Sequence, residues 1–159
     1  MIKAKFFLFL FIVILNIVNP LPGNACVKGM EWGMDAEAIE HHVDGPMTFI
    51  RNDFNTEAYE VVGLKISGLE VEKLQLRINK ESGLNYLAYQ INSDNMTEVL
   101  AGLRHRFGTP VSTSVDVNSN ISQQQWIWHT GEDVITALKS DNQPFILAYR
   151  PSLLDPAYL

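Results

Sequence analysis

The sequence predicts an α+β fold, with antiparallel sheet in two meanders and helices packed on one face, in the order α-βββ-α-βββ. Three observations carry this. Between Asn92 and Pro110, Met96, Val99, Leu100, Leu103 and Phe107 recur at the spacing that lines one side of a helix. From Ala58 to about residue 91 the apolar period falls to two, which is the repeat of a strand with one buried face. The same period returns after residue 120 and runs to about residue 150.

The chain opens with Lys3 and Lys5 ahead of an apolar run from Phe6 to Leu15, then Asn19-Pro20 and Gly23-Asn24-Ala25. This is the pattern of a secretory signal peptide covering residues 1–25, cleaved after Ala25, because the run is short of the roughly 20 apolar residues that span a bilayer. Cys26 would then begin the mature chain and becomes a candidate for lipidation. Gly23 stands where a lipidation box carries an apolar residue, so a soluble product is the favoured expectation. As the lone cysteine, Cys26 cannot form an internal disulfide, and the fold must rest on packing.

Residues 26–159 have the length of a single domain, with a loosely ordered C-terminal tail predicted for SLLDPAYL. The full chain has 12 Lys+Arg and 18 Asp+Glu, and loss of Lys3 and Lys5 with the leader takes its net charge from −6 to −8. With no basic stripe, neither nucleic acid nor anionic lipid is an expected partner; a membrane enters only through lipidation of Cys26 or an uncleaved signal.

A short helix is predicted around Asp35 to Val43, with Asp35 as N-cap, Glu37 in the positive first turn, Ile39 and Val43 on one face, and Gly45-Pro46 as its stop. Trp32 and Met34 are expected to anchor its start in the core. Gly63, Gly68 and Glu81-Ser82-Gly83 divide the first meander into strands near 57–66, 69–79 and 84–91. In the middle strand Glu70, Glu72, Leu74, Leu76 and Ile78 are expected on one face and Val71, Lys73, Gln75 and Arg77 on the other. The long helix is capped by Ser93 or Asn95, with Glu98 in capping-box position, and ended by Gly108 and Pro110. Val111 to Asn120 is expected to be a Ser/Asn-rich connection, followed by strands near 121–129, 133–139 and 144–150.

Trp32-Gly33-Met34 with Asp35-x-x-x-Ile39, Gly83-Leu84-x-Tyr86, Phe107-Gly108-x-Pro110 and Trp126 occur in an order that resembles small exported bacterial domains of unknown function. The resemblance spans most of residues 30–151 and implies fold and export; it carries no catalytic residues. Asp35 replaces the Ser expected there, and the Asn/Ser-rich segment at 117–125 is longer than in that pattern.

The search for chemistry yields little. His41-His42-x-Asp44 is the obvious metal candidate, but adjacent helical histidines point about 100° apart, so it reads as a solvated helix end. No G-x-S-x-G elbow or Gly-rich phosphate cradle is present, and Cys26 lies at a terminus. The expectation is therefore a non-catalytic domain without cofactor or metal, periplasmic or extracellular, binding a protein in the cell envelope as an inhibitor, immunity or assembly accessory protein. Residues 31–60 hold eight acids against Arg51 alone, which makes Glu31, Glu37, Glu40 and Asp44 the candidate partner face, steering a cationic partner. An apolar patch at Trp126 or Trp128 is the next surface in line. The rival expectation is a small-ligand carrier or hydrolase with a pocket between helix and sheet near His129, Trp126 and Tyr149.

Overall fold

The computed structural model describes residues 29–116 and 122–153. The expected signal peptide (residues 1–25), Cys26 and the tail beyond Leu153 lie outside the described residues.

The first helix, α1 (Ala36–Glu40), starts as the sequence predicts: the Asp35 carboxylate accepts from the Ala38 N–H at 2.8 Å. It ends at His41, earlier than expected, and buries Ile39. Strands β1 (Met47–Asp53), β2 (Thr56–Val61), β3 (Leu64–Ile66), β4 (Leu69–Asn79) and β5 (Gly83–Ile91) follow. A short 3-10 turn (Ser93–Asn95) leads into α2 (Met96–Phe107). Strands β6 (Ser112–Asp116), β7 (Gln123–His129), β8 (Asp133–Ser140) and β9 (Phe145–Pro151) complete the chain.

The sheet is antiparallel throughout and the helices are few, as the sequence predicts, but the strands form one nine-stranded sheet, ordered β1-β2-β4-β5-β9-β8-β7-β6, with β3 paired to β4 off that path. The expected α-βββ-α-βββ order is corrected in three places. The segment 57–66 divides into β2 and β3 at Gly63, whose φ of 79° breaks the strand. β1 is additional to that order, because its register slips between Phe49 and Arg51 and destroys the alternation that marks a strand. β6 occupies part of the expected Val111–Asn120 connection; every residue in it is exposed, so no apolar period signals it.

One face of the sheet holds the core. Leu74, Leu76 and Ile78 on β4 stand opposite Tyr89, Leu87 and Leu84 on β5; Leu87, Tyr89 and Ile91 meet Tyr149, Leu147 and Phe145 on β9. Ile135 and Ala137 on β8 continue the layer to Trp128 and Trp126 on β7. Ile39 from α1 and Leu100 and Leu103 from α2 belong to the same cluster, with Met96, Val99 and Phe107 packed against it. Val71, expected on the polar face, is buried: the register shift between Val71 and Lys73 returns the strand to the core side. Asn92, rather than Ser93 or Asn95, supplies the side-chain cap ahead of α2, accepting from the Asp94 N–H at 2.9 Å. Gly108 (φ 77°) ends the helix, its N–H bonded to the Arg104 carbonyl at 2.9 Å, and its own carbonyl accepts from the Trp128 indole at 2.9 Å.

Two of the motifs behind the resemblance, Trp32-Gly33-Met34 and Gly83-Leu84, meet in space. Gly33 donates its N–H to the Leu84 carbonyl at 3.0 Å, and Leu84 returns its N–H to Met34 at 2.8 Å. A Cβ on Gly83 would collide with the Gly33 backbone, so glycine is required for this approach. Trp32 then donates its indole N–H to Asp133 at 2.6 Å, tying the start of α1 to β8.

Candidate functional site

Glu31, Glu37, Glu40 and Asp44 are all exposed and sit around α1. Asp35 of that charge-rich segment caps α1, and three further acids are engaged on the sheet. Asp53 pairs with Arg51 at 2.7 Å, Glu57 accepts from the Tyr59 hydroxyl at 2.8 Å, and Glu60 accepts from Lys73 and Gln75 at 3.0 and 3.2 Å. The Lys73 hydrogen bond, with help from Gln75 and the Lys73 charge, holds the Glu60 carboxyl below its usual pKa against a smaller opposing effect of burial. The acidic excess of residues 31–60 is thus divided between side chains around α1 and side chains on the sheet. His41 and His42 are exposed, and His42 Nδ1 lies 2.8 Å from the Ala38 carbonyl.

Trp126 and Tyr149 are buried at 8% and 7% exposure in the core, whereas His129 is exposed. The three therefore do not converge on one pocket. Trp128 is buried as well, which removes the apolar patch expected at Trp126 or Trp128: both indoles fill the inner face of β7, because alternate residues of a strand point the same way.

A different constellation lies on the face opposite the core. Register places Arg51 on β1 beside Ala58 on β2, Ala58 beside Arg77 on β4, and Arg77 beside Tyr86 on β5. One position past the Leu87–Tyr149 pair, β9 adds Arg150, which stands next to Val134 on β8. The result is one row across five neighbouring strands: Arg, Ala, Arg, Tyr, Arg. Strands lie about 4.8 Å apart, so successive arginines are about 10 Å apart, and the short Ala58 leaves a depression between the first two.

One register slip completes this row and a second adds to its lining. With Phe49 opposite Tyr59, uninterrupted pairing would turn Arg51 to the core face; the extra residue Ile50 turns it outward instead. Between β4 and β5, Arg77 faces Tyr86 while Ile78 faces Leu84, so Asn85 is the unpaired extra residue and joins the depression. The Arg77 guanidinium lies over the Tyr86 ring, 4.8 Å from its centroid. Thr56, Asp53, Pro151 and Leu153 complete an open groove of about 540 Å³. A second cavity, of about 420 Å³, lies between the β3–β4 turn and the start of α2, lined by Glu70, Glu72, Asn92 and Asn95 among others.

The sequence supplies each part of the row but not the row itself. Arg77 is placed on the polar face by simple alternation, but Arg51 and Arg150 join it only through a bulge and through the pairing of β5 with β9, neither of which leaves a local signal. Among the described residues no group of three or more His, Cys, Asp or Glu is arranged to hold a metal ion, and no helix is long and apolar enough to cross a membrane.

No family model matches the chain. In sequence it is 27% identical over 84 residues to the lipoprotein-releasing system transmembrane protein LolC of Buchnera aphidicola subsp. Schizaphis graminum. That match covers 53% of this chain and 21% of LolC, so the chain spans about a fifth of the relative's length. Among solved structures it is similar to a DUF4309 family protein, YjgB, from Bacillus subtilis subsp. subtilis str. 168, at a TM-score of 0.46 and 10% identity, covering 74% of this chain and 78% of that one.

Proposed function

We propose that this chain is an exported, non-catalytic domain, periplasmic or extracellular, that binds another protein in the cell envelope as an inhibitor, immunity or assembly accessory protein. The observation that carries the reading is the unequal use of the sheet. One face is filled by the apolar core, to which Ile39 of α1 and Leu100 and Leu103 of α2 belong, while the other presents an open groove with arginine, tyrosine and asparagine side chains in fixed register. A scaffold whose second face holds cross-strand polar side chains over a rigid sheet suits recognition, since the backbone beneath is already ordered before binding. The charged leader and apolar run of residues 1–15 support export, and the partial similarity to a transmembrane protein of a lipoprotein-releasing system accords with an envelope setting.

Two measurements test this. The intact mass of the exported product is expected to equal residues 26–159; an added lipid on Cys26 makes the protein a tethered lipoprotein, and an unprocessed chain contradicts the leader. Chemical crosslinking and recovery of the mature protein from its own envelope is expected to yield a defined protein partner, lost when Arg77 is replaced by Ala. Turnover of substrate by the purified protein, or recovery of the chain alone under crosslinking, overturns the reading.

A further inference from the structure

We infer that the groove over β1, β2, β4, β5 and β9 is an oxyanion-binding site that takes a multiply charged carboxylate or phosphate group across the Arg51–Arg77–Arg150 row. This deepens the binding reading above by naming what the ligand must carry, and it is tested without that partner.

In a protein of net charge −6, three of the 12 basic residues stand in one row, and among the described residues Asp53 is the one carboxylate lining the groove. Asp53 engages Arg51 Nε, which neutralises part of that end but leaves the terminal nitrogens of the guanidinium available. Arg77 and Arg150 are exposed and have no carboxylate within ion-pairing distance among the described residues. Arginine is the side chain whose planar fork matches carboxylate and phosphate oxygens in pairs, and its weak hydration lowers the cost of giving up water on contact.

The row is also preorganised. Arg77 is held over Tyr86, so part of its side-chain freedom is already lost in the free protein, and its edge remains directed for hydrogen bonding. Bulges at Ile50 and Asn85 turn Arg51 outward and place an amide beside Arg77; bulges characteristically re-aim side chains next to functional sites. Thr56 adds a hydroxyl donor to the lining, while Ala58, Pro151 and Leu153 supply an apolar wall. With arginines spaced by about 10 Å, a ligand bearing two or three oxyanion groups engages the row better than a single small anion.

The test is a titration of the full mature chain with pyrophosphate and, separately, with citrate, followed by backbone amide shifts and by calorimetry at constant ionic strength. Saturable shifts are expected at Arg51, Ala58, Arg77, Tyr86 and Arg150, with the stronger of the two ligands deciding between phosphate and carboxylate chemistry. Arg77→Ala and Arg150→Gln should each weaken binding by about tenfold or more, the loss typical of a charge-assisted hydrogen bond. Arg77→Lys should restore only part of it, because an ammonium lacks the fork. Glu98→Lys, exposed on α2 and outside the groove lining, should leave binding of these small probes within about twofold. Thermal melts of each variant separate loss of binding from loss of fold, and Arg150→Gln stands in should Arg77→Ala unfold. Absence of saturable shifts with both ligands overturns the inference, as does an equal response to sodium chloride or an undiminished response in folded Arg77→Ala. A groove that takes no oxyanion while the crosslinked partner is still recovered defeats this inference alone; oxyanion binding with no protein partner defeats the protein-binding reading alone.

Discussion

Asp133 is the buried charged side chain among the described residues, at 1% exposure, and its surroundings pull in two directions. Burial raises its pKa above the ordinary value, and the nearby Glu132 adds to that; hydrogen bonds from Trp32 and Thr130, with the more distant charge of Arg106, lower it. Burial is the largest contribution, so the folded protein binds this proton more tightly than the unfolded chain does. The associated stability is therefore fully present below the unfolded value and is lost as pH rises through the folded one. Asp133→Asn keeps an oxygen that accepts from the Trp32 indole while removing the buried charge. It is expected to leave neutral-pH stability equal or higher and to flatten the pH dependence of stability across the acid range, read by urea melts from pH 3 to 7. Asp133→Ala instead strands the indole N–H and should cost about 1–3 kcal/mol. An Asn variant as damaged as the Ala variant would show that the charge itself holds Trp32.

At the scale of elements, the helix α2 was the most legible part of the chain, and the reason is physical: its apolar spacing, its closing glycine and its proline stop all describe one object. Leu103, at 6% exposure, should cost about 2–5 kcal/mol when cut to Ala, through lost transfer energy and the cavity left behind. Leu153→Ala, at 89% exposure, should lie within about 0.5 kcal/mol of wild type in the same denaturant series. Equal losses would mean that α2 does not cover the core. The strands were legible where alternation was clean, as in β4 from Leu74 to Ile78, and failed at each bulge. Alternation alone puts Val71 on the wrong face and hides β1 for the same cause: one extra residue inverts every side chain beyond it, and the sequence carries no mark of the insertion. The Gly33–Gly83 approach was visible only as two separate motifs. Their contact depends on a backbone spacing that becomes apparent when α1 is set beside β5.

For the whole molecule, the charge distribution decides how a partner approaches. A count along the chain gathered the acid into residues 31–60; folding separates that segment into an exposed cluster at Glu31, Glu37, Glu40 and Asp44 and acids paired on the sheet, with Arg51 turned into a cationic row. The candidate site in the sequence was acidic because local density is all that a linear count can weigh, whereas the arginines at 51, 77 and 150 lie too far apart in sequence to register as a cluster. The two fields make opposite demands on the envelope partner proposed above. Steering by the acidic cluster favours a cationic surface, and reversal of Glu37 and Glu40 to Lys would then slow association; docking on the arginine row favours an acidic one, and the same reversal would leave the rate unchanged or raise it. The groove has the fixed register and the cluster does not, so the expected outcome is that Arg77→Ala slows association and speeds dissociation, while the double reversal does not slow association. Both rates belong in one stopped-flow series from low salt to above 0.1 M, where exposed charges farther apart than about 10 Å are largely screened. Slower association only in the Glu37 and Glu40 reversal, falling steeply with salt in the wild type, would return the partner face to α1.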